Sequence, residues 1–212
     1  MGRIMRGGPA IWFALLAGFV VLCAFAAAFD RFPGDLWLAE RLQDVDFESF
    51  ARILDWSEDL TDVPIWIVVW LGATAAVFAS GHTPQALILL ASAVGRAFNP
   101  IVKEIVGRPR PADDLVSVID VQSSPSFPSG HADSVVLLYG MLLYLVTVLV
   151  RRPVPRLAGQ IACLAVIVLV GMERVYVGAH WPSDVLGGYY LAGLTVAVLI
   201  AVDRRVSGSN HR

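Results

Sequence analysis

The sequence is poor in charged residues. Of its 212 residues, 16% are Asp, Glu, Lys or Arg, whereas 57% are hydrophobic. A soluble domain has about 25% charged and about 45–50% apolar residues, so this composition is typical of a membrane protein. The formal net charge is −2 and the sequence has no basic tail or stripe, which argues against nucleic acid as a partner.

Cysteine is almost lacking. Cys23 and Cys163 are the two cysteines, and each lies inside an apolar run away from any second Cys or His. This arrangement argues against a disulfide framework and against a zinc site. We expect both thiols to pack as small buried hydrophobic groups.

Long apolar runs, by contrast, are abundant. A spanning helix needs about 20 mostly apolar residues. Six such runs cover residues 11–29, 63–80, 86–102, 134–150, 157–172 and 185–202. They predict an all-α fold, an integral membrane bundle of six transmembrane helices. The first run is long for a signal peptide and lacks a cleavage site, so we expect it to be retained.

The runs leave little room for a second domain. We therefore expect residues 1–212 to form one transmembrane domain, whose motif-bearing part covers about residues 86–202. Residues 36–60 carry apolar side chains at roughly helical spacing with acidic residues between them. This predicts a short amphipathic helical segment. It lies either on the outer membrane surface or as a cap packed on the bundle, and the pattern leaves both open.

The distribution of Lys and Arg predicts the orientation of the chain in the membrane. With a cytoplasmic N-terminus, the inner segments carry eight basic residues and the outer segments seven, of which four belong to the motifs described below. Residues 30–62 hold ten acidic residues and three arginines, which favours an outer position. We expect both termini to be cytoplasmic, in the cell (inner) membrane, with the motifs extracytoplasmic or periplasmic.

Three polar clusters lie at the predicted outer ends of the spans. The first contains Lys103 and the stretch Arg108-Pro109-Arg110-Pro111. An Arg guanidinium holds two phosphate oxygens in its planar fork, and Lys supplies a point charge. A basic anchor for lipid head groups explains this cluster equally well when it is considered alone.

The second cluster directly precedes the fourth span and reads Pro128-Ser129-Gly130-His131. Ser129 is a favourable helix N-cap, and Gly130 permits close approach of a ligand to the backbone. The N–H groups and the positive dipole end at a helix start form an anion site. Ordinary capping with an interfacial histidine is the simpler interpretation of this stretch in isolation.

The third cluster contains Arg174, His180 and Asp184. A carboxylate four residues after a histidine on a helix can bond to one ring nitrogen, which fixes the tautomer and leaves the other nitrogen free to attack. Two histidines and several cations at one membrane face indicate a functional site for a dianionic substrate. The lack of clustered carboxylates argues against a Mg²⁺ or two-metal mechanism.

Together, the three clusters resemble the signature of the type 2 phosphatidic acid phosphatase (PAP2) superfamily, in its membrane lipid phosphatase branch. The matching patterns are K-x6-R-P from Lys103, P-S-G-H ending at His131, and R-x5-H-x3-D from Arg174. Their order and the six-span layout also match.

The resemblance implies a role for each matching residue. His180 is the expected nucleophile, which forms a phosphohistidine, Asp184 orients it, and His131 protonates the leaving oxygen. Phosphate is expected to be bound by the remaining motif residues: Lys103, Arg110, Ser129, Gly130 and Arg174. No metal and no organic cofactor are expected.

One residue departs from the family pattern. Glu173 replaces the usual Ser before Arg174. An acid beside a phosphate site is unfavourable unless its side chain points away, so we leave its role open.

The expected function is that of an integral membrane lipid phosphatase. Its substrate is a lipid phosphate monoester or diphosphate in the bilayer, of the undecaprenyl diphosphate, phosphatidylglycerophosphate or phosphatidic acid type. The alternative is a lipid phosphotransferase that uses the same phosphohistidine. A non-catalytic transporter is a remote alternative, because only Arg96 and Asp133 place charge deeper in the spans.

Overall fold

The structure is a computed structural model, and it describes residues 8–45 and 63–209. Throughout these residues the regular structure is helical, which confirms the all-α prediction. Seven helices follow one another: α1 Pro9–Ala28, α2 Asp35–Gln43, α3 Val63–Ala79, α4 Thr83–Val106, α5 Gly130–Leu149, α6 Pro153–Tyr176 and α7 Pro182–Ser209. Two helices contain an irregular stretch: α4 is 3₁₀-helical over Ala93–Ala97, and α5 is π-helical over Val136–Gly140.

Each of the six predicted apolar runs coincides with a helix. Within the described part, α1, α4, α5, α6 and α7 are long and apolar enough to cross a membrane, and α3 is a shorter apolar helix of 17 residues. Five candidate spans are therefore established, and the predicted count of six crossings remains a prediction.

Large apolar side chains cover much of the outer surface of the bundle. On α1, for example, Phe13 is 71% exposed and Val20 is 57% exposed. Several charged residues are buried instead, among them Arg108, Arg174 and Asp184. This distribution is what a lipid environment favours, since the hydrocarbon solvates apolar groups and charged groups avoid it.

The centre of the bundle is an apolar core between α3, α4, α5 and α7. Its buried members include Trp66, Leu89, Leu138, Met141 and Val196. Cys163 is buried and Cys23 half-buried, and both are free thiols. Packing of this kind fixes the relative positions of the helices whose ends carry the three motifs.

A second apolar cluster connects α2 to the motif-bearing end of the bundle. Ala39 of α2 packs with Val116, Val175, Trp181 and Val185. The described part of residues 36–60 is therefore a helical cap on the bundle, although Trp37 and Leu38 are exposed. Residues 46–62 of that segment lie outside the described residues.

Two close approaches of the backbone bring the motifs together. Gly178 has φ +70° in the turn between α6 and α7, and a Cβ there would lie 2.3 Å from the carbonyl oxygen of Ser117. A Cβ on Gly188 of α7 would lie 2.5 Å from the carbonyl oxygen of Ser129. The absence of a side chain at both positions therefore lets the start of α7 contact the segment that precedes α5.

Candidate active site

A cavity of about 400 Å³ opens at the motif-bearing end of the bundle. Residues from all three motifs line it, although they are far apart in the chain: Lys103, Arg110, Gly130, His131, Arg174 and His180. Asp184 and Ser129 are buried beside the cavity. The structure thus gathers every predicted site residue in one region.

His180 is buried, with 3% of its surface exposed. Its Nδ1 lies 3.7 Å from Oδ2 of Asp184, which is longer than a hydrogen bond. The Ser126 hydroxyl lies 3.4 Å from Nδ1 and donates to Oδ2 of Asp184 over 2.5 Å. The direct His180–Asp184 hydrogen bond that the spacing predicts is therefore replaced by a contact through Ser126.

This arrangement determines which ring nitrogen of His180 is available. Because the Ser126 proton is directed to Asp184, the Ser126 oxygen is left to accept a hydrogen bond from Nδ1–H. The Nε2 atom then carries the lone pair, and it lies 3.3 Å from Nη1 of Arg110. Burial lowers the pKa of His180 to about 4, although Asp184 raises it, and Arg110 and Lys103 lower it further. The imidazole is consequently neutral near pH 7.

Arg108 fixes Asp184 from the side away from the cavity. Its Nη1 donates to Oδ1 of Asp184 over 2.5 Å and to the Ser183 hydroxyl over 2.8 Å. Its Nη2 donates to Oδ2 of Asp35 over 3.1 Å. All three charged side chains are buried. Arg108 therefore positions Asp184, whereas Arg110, two residues later, lines the cavity.

Backbone carbonyls of two loops, between α4 and α5 and between α6 and α7, orient Arg110 and Lys103. Nε of Arg110 donates to the carbonyl of Ser124 over 2.8 Å, and its Nη1 donates to the carbonyl of Ala179 over 2.6 Å. Nζ of Lys103 donates to the carbonyl of Pro125 over 2.6 Å. These neutral acceptors orient the two cations and leave their charge available to an anion.

Arg174 is bound by two carboxylates. Its Nε and Nη2 donate to the carboxylate of Glu173, and its Nη1 donates to Oδ2 of Asp120 over 3.0 Å. Glu173 is fully buried. Its side chain therefore orients the neighbouring guanidinium, which answers the question that the departure from the family pattern raised.

The first turn of α5 contributes the third part of the site. Ser129 caps the helix, as predicted, because its hydroxyl accepts from the N–H of Ala132 over 3.4 Å. The N–H of Ser129 donates to the carbonyl of Asp184 over 2.9 Å. The N–H groups of Gly130 and His131 are the first of α5 and have no acceptor within the helix. These two N–H groups can therefore donate to an anion, whereas the N–H of Ser129 already donates to Asp184.

Sequence reasoning missed several residues that shape the site. Ser126 lies two residues before Pro128, and this closeness to the second motif is the only feature of the sequence that indicates a place in the site. Asp35 is the first residue of α2, directly after the N-cap Gly34, and acidic residues are favoured in the first turn of a helix. Asp120 has no recognisable local pattern.

Comparison with known proteins agrees with the signature. The model of the PAP2 superfamily matches residues 84–207. The phosphatidylglycerophosphatase B of Bacillus subtilis (strain 168) is 34% identical over 126 residues, which cover 57% of this chain and 58% of that protein. The decaprenylphosphoryl-5-phosphoribose phosphatase of Mycobacterium tuberculosis (strain CDC 1551 / Oshkosh) is 32% identical over 108 residues, or 50% of this chain and 54% of that protein. The chain thus spans a little over half the length of both relatives.

One solved structure shares the fold. It is that of a transmembrane PAP2 type phosphatidylglycerolphosphate phosphatase from Bacillus subtilis, with a TM-score of 0.76 at 24% sequence identity. The likeness covers 92% of this chain and 96% of that one. Together with the apolar helices, it identifies the chain as a multi-pass membrane protein.

Proposed function

The chain belongs to the PAP2 superfamily, and on this premise we propose that it is a membrane lipid phosphatase acting through a phosphohistidine. The substrate is a lipid phosphate monoester or diphosphate. The observation that carries the proposal is that one cavity is lined by His180, His131 and three motif cations, Lys103, Arg110 and Arg174. Both relatives are named as phosphatases of phosphorylated lipids, which supports the same class of reaction here.

In the first step, Nε2 of His180 attacks phosphorus. The N–P bond forms while the bond from phosphorus to the leaving oxygen breaks, and His131 donates a proton to that oxygen. Asp184, acting through Ser126, stabilises the charge that develops on the imidazole ring. The lipid leaves as its alcohol, or as the lipid monophosphate if the substrate is a diphosphate.

In the second step, water attacks the phosphohistidine and inorganic phosphate is released. His131, now neutral, accepts the proton of the attacking water. Lys103, Arg110 and Arg174 neutralise the charge on the transferred group, together with the N–H groups of Gly130 and His131. A phosphate oxygen that binds Arg174 replaces its contact with Asp120, whereas Glu173 continues to hold the guanidinium.

A panel of purified lipid phosphates tests this function directly. We expect release of inorganic phosphate from at least one lipid monoester or diphosphate in detergent micelles, also in the presence of EDTA. His180→Ala, purified in the same way, is the control for contaminating phosphatases. Transfer of the phosphoryl group to a second lipid, without free phosphate, would show a phosphotransferase instead. Activity that EDTA abolishes and Mg²⁺ restores would contradict the mechanism.

We also propose that the cavity faces the extracytoplasmic side and that both termini are cytoplasmic. The support is the distribution of basic residues, together with the acidic composition of residues 30–62. In this orientation the substrate's tail remains in the bilayer while its phosphate reaches the cavity from the outer leaflet.

A further inference from the structure

Two charged residues in the cavity wall have no part in the phosphoryl transfer described above. Arg96 of α4 and Asp133 of α5 line the same cavity as His131 and His180. Both lie within helices that are apolar enough to cross the membrane. Ionisable groups inside spanning helices are rare and mark functional positions.

Both side chains lack part of their hydrogen bonding. Asp133 is 1% exposed, and neither of its carboxyl oxygens has a hydrogen-bond partner in the described structure. Nη1 of Arg96 is also buried without a partner there. A buried polar group without a partner is strongly disfavoured, so a donor for Asp133 and an acceptor for Arg96 are what this part of the cavity requires.

The surrounding helices hold the two side chains in place. The guanidinium of Arg96 lies over the ring of Trp66, 4.6 Å from its centroid, and Nε1 of Trp66 donates to the carbonyl of Ser134 over 3.0 Å. Arg96 lies in the 3₁₀-helical stretch of α4, and the π-helical stretch of α5 begins three residues after Asp133. Irregular helical turns of this kind are frequent at functional sites.

The positions of Arg96 and Asp133 along their helices place them near the leaving group. The proposed acid His131 must lie beside the leaving oxygen, and Asp133 follows it on the same helix, about 3 Å further along the axis. Arg96 precedes Lys103 by seven residues, about 10 Å deeper along α4. The pair therefore lies on the membrane side of the phosphate, where the leaving group of a bilayer lipid must pass.

We propose that Arg96 and Asp133 bind a hydroxyl group of the leaving group. The hydroxyl donates to one oxygen of the Asp133 carboxyl and accepts from the Arg96 guanidinium, so that each buried group gains a partner. This deepens the proposed function and depends on it. The substrate class is a lipid whose terminal phosphate is carried by a polyol or sugar unit with a free hydroxyl, and not a phosphate attached directly to diacylglycerol.

Two substrates with identical acyl chains test this assignment. The leaving group of phosphatidylglycerophosphate has a free glycerol hydroxyl, and that of phosphatidic acid has none besides the reacting oxygen. A site built to bind a hydroxyl discriminates strongly against a substrate that lacks it. We expect Asp133→Leu to lower kcat/KM for phosphatidylglycerophosphate by about tenfold or more, and to change that for phosphatidic acid less than about twofold.

Further variants separate hydroxyl binding from a loss of folding. Arg96→Gln should also lower the ratio of kcat/KM for phosphatidylglycerophosphate to kcat/KM for phosphatidic acid. Asp133→Asn, which keeps one acceptor oxygen, should lower this ratio less than Asp133→Leu does. Asp203 is a matched control, because it is also a buried carboxylate in a span but is bonded by Gln85 and Tyr144. Asp203→Asn should leave the ratio unchanged, whatever it does to stability.

The outcomes distinguish this assignment from the function on which it depends. A parallel loss with both substrates in Asp133→Asn and Arg96→Gln, or no loss with either, would overturn the hydroxyl site alone. A wild-type protein that cleaves phosphatidic acid but not phosphatidylglycerophosphate would also overturn it. A wild-type protein that releases phosphate from no phosphorylated lipid would contradict the proposed function, and the hydroxyl site with it.

Discussion

His180 combines two properties that a nucleophilic imidazole needs near neutral pH. Its pKa is lowered to about 4, chiefly by burial, so that the ring is unprotonated. Its Nδ1 faces Ser126 and Asp184, so that the lone pair is on Nε2, beside Arg110. Burial disfavours the charged imidazole, while in the proposed mechanism the carboxylate behind Ser126 stabilises the positive charge that develops during attack.

The protonation of His180 can be measured directly. Because its pKa is lowered, the ring should stay neutral as the pH falls through 6.5 and should protonate only near pH 4. We expect this midpoint for its Cε1–H resonance in a histidine-labelled sample in micelles, assigned by the signal's loss in His180→Ala. A midpoint near 6.5 would contradict the effect of burial described here.

Ser126 should contribute to rate rather than to substrate binding. Ser126→Ala removes the hydroxyl between His180 and Asp184, and a hydrogen bond to a charged group is worth about 1.5–3 kcal/mol. We expect kcat to fall about 10–100-fold with little change in KM. Steady-state kinetics on a soluble phosphate ester provides the measurement, and Ser123→Ala, at an exposed position, is the matched control.

A wild-type kcat in Ser126→Ala would show that the hydroxyl has no part in orienting His180. A fall in kcat that is matched by Ser123→Ala would assign the effect to the loop as a whole.

The residues that could be predicted from the sequence are those with local signals. His131 and Gly130 follow a capping serine, and His180 precedes Asp184 by four residues at a helix start. Ser126 and Asp120 could not be predicted, because their contacts depend on how the loops fold over the helix ends. The contact between Arg108 and Asp184 joins positions 76 residues apart, which no local spacing reveals.

Among the secondary structure elements, α2 braces the site although none of the predicted site residues lies on it. At its start, Asp35 accepts from the N–H and the hydroxyl of Ser183 over 2.9 and 2.6 Å, and it also accepts from Arg108. At its end, Nε2 of Gln43 donates to the carbonyls of Ser117 and Tyr176 over 2.7 and 2.8 Å. The helix is therefore bonded at both ends to the segments that position Asp184 and Arg174.

Loss of the Asp35 charge should weaken this attachment. Asp35→Asn leaves Arg108 with one buried carboxylate instead of two, and breaking a buried ion pair costs about 3 kcal/mol. We expect Tm to fall by about 6–12 °C, and kcat to fall because Arg108 no longer holds Asp184 in place. Thermal unfolding in detergent measures the first effect.

Glu40→Gln is the control on the same helix, because Glu40 is exposed, and it should leave Tm nearly unchanged. Equal Tm values for Asp35→Asn and the wild type would contradict the role of α2 as a brace.

The elements themselves were predicted unevenly. All six apolar runs are helical because their length and hydropathy are local properties of the sequence. The predicted ends differ by several residues where polar groups extend a helix beyond its apolar part, as at the end of α6, Tyr176. The two irregular stretches were not predicted. They contact each other, since Leu137 of α5 packs against Gly95 of α4, where a Cβ would lie 2.5 Å from the Leu137 side chain.

For the molecule as a whole, the proposed orientation places the cavity outside the cytoplasm. Asp114, in the loop between α4 and α5, is exposed. We expect Asp114→Cys to react with a membrane-impermeant thiol reagent in intact cells. Arg151→Cys, in the exposed loop at the other end of the bundle, should react only after permeabilisation, and the parent protein measures the background from Cys23 and Cys163. The reverse pattern of labelling would invert the topology.

The central claim is that His180 carries the phosphoryl group and His131 donates the proton. Removal of the nucleophile should abolish every phosphoryl transfer, whereas removal of an acid should matter least when the leaving group needs no proton. The most direct measurement is rapid-quench detection of acid-labile, base-stable phosphoprotein with p-nitrophenyl phosphate as donor. We expect phosphoprotein in the wild type and in His131→Ala, and none in His180→Ala. Phosphoprotein at the wild-type level in His180→Ala, with none in His131→Ala, would show that the two roles are exchanged.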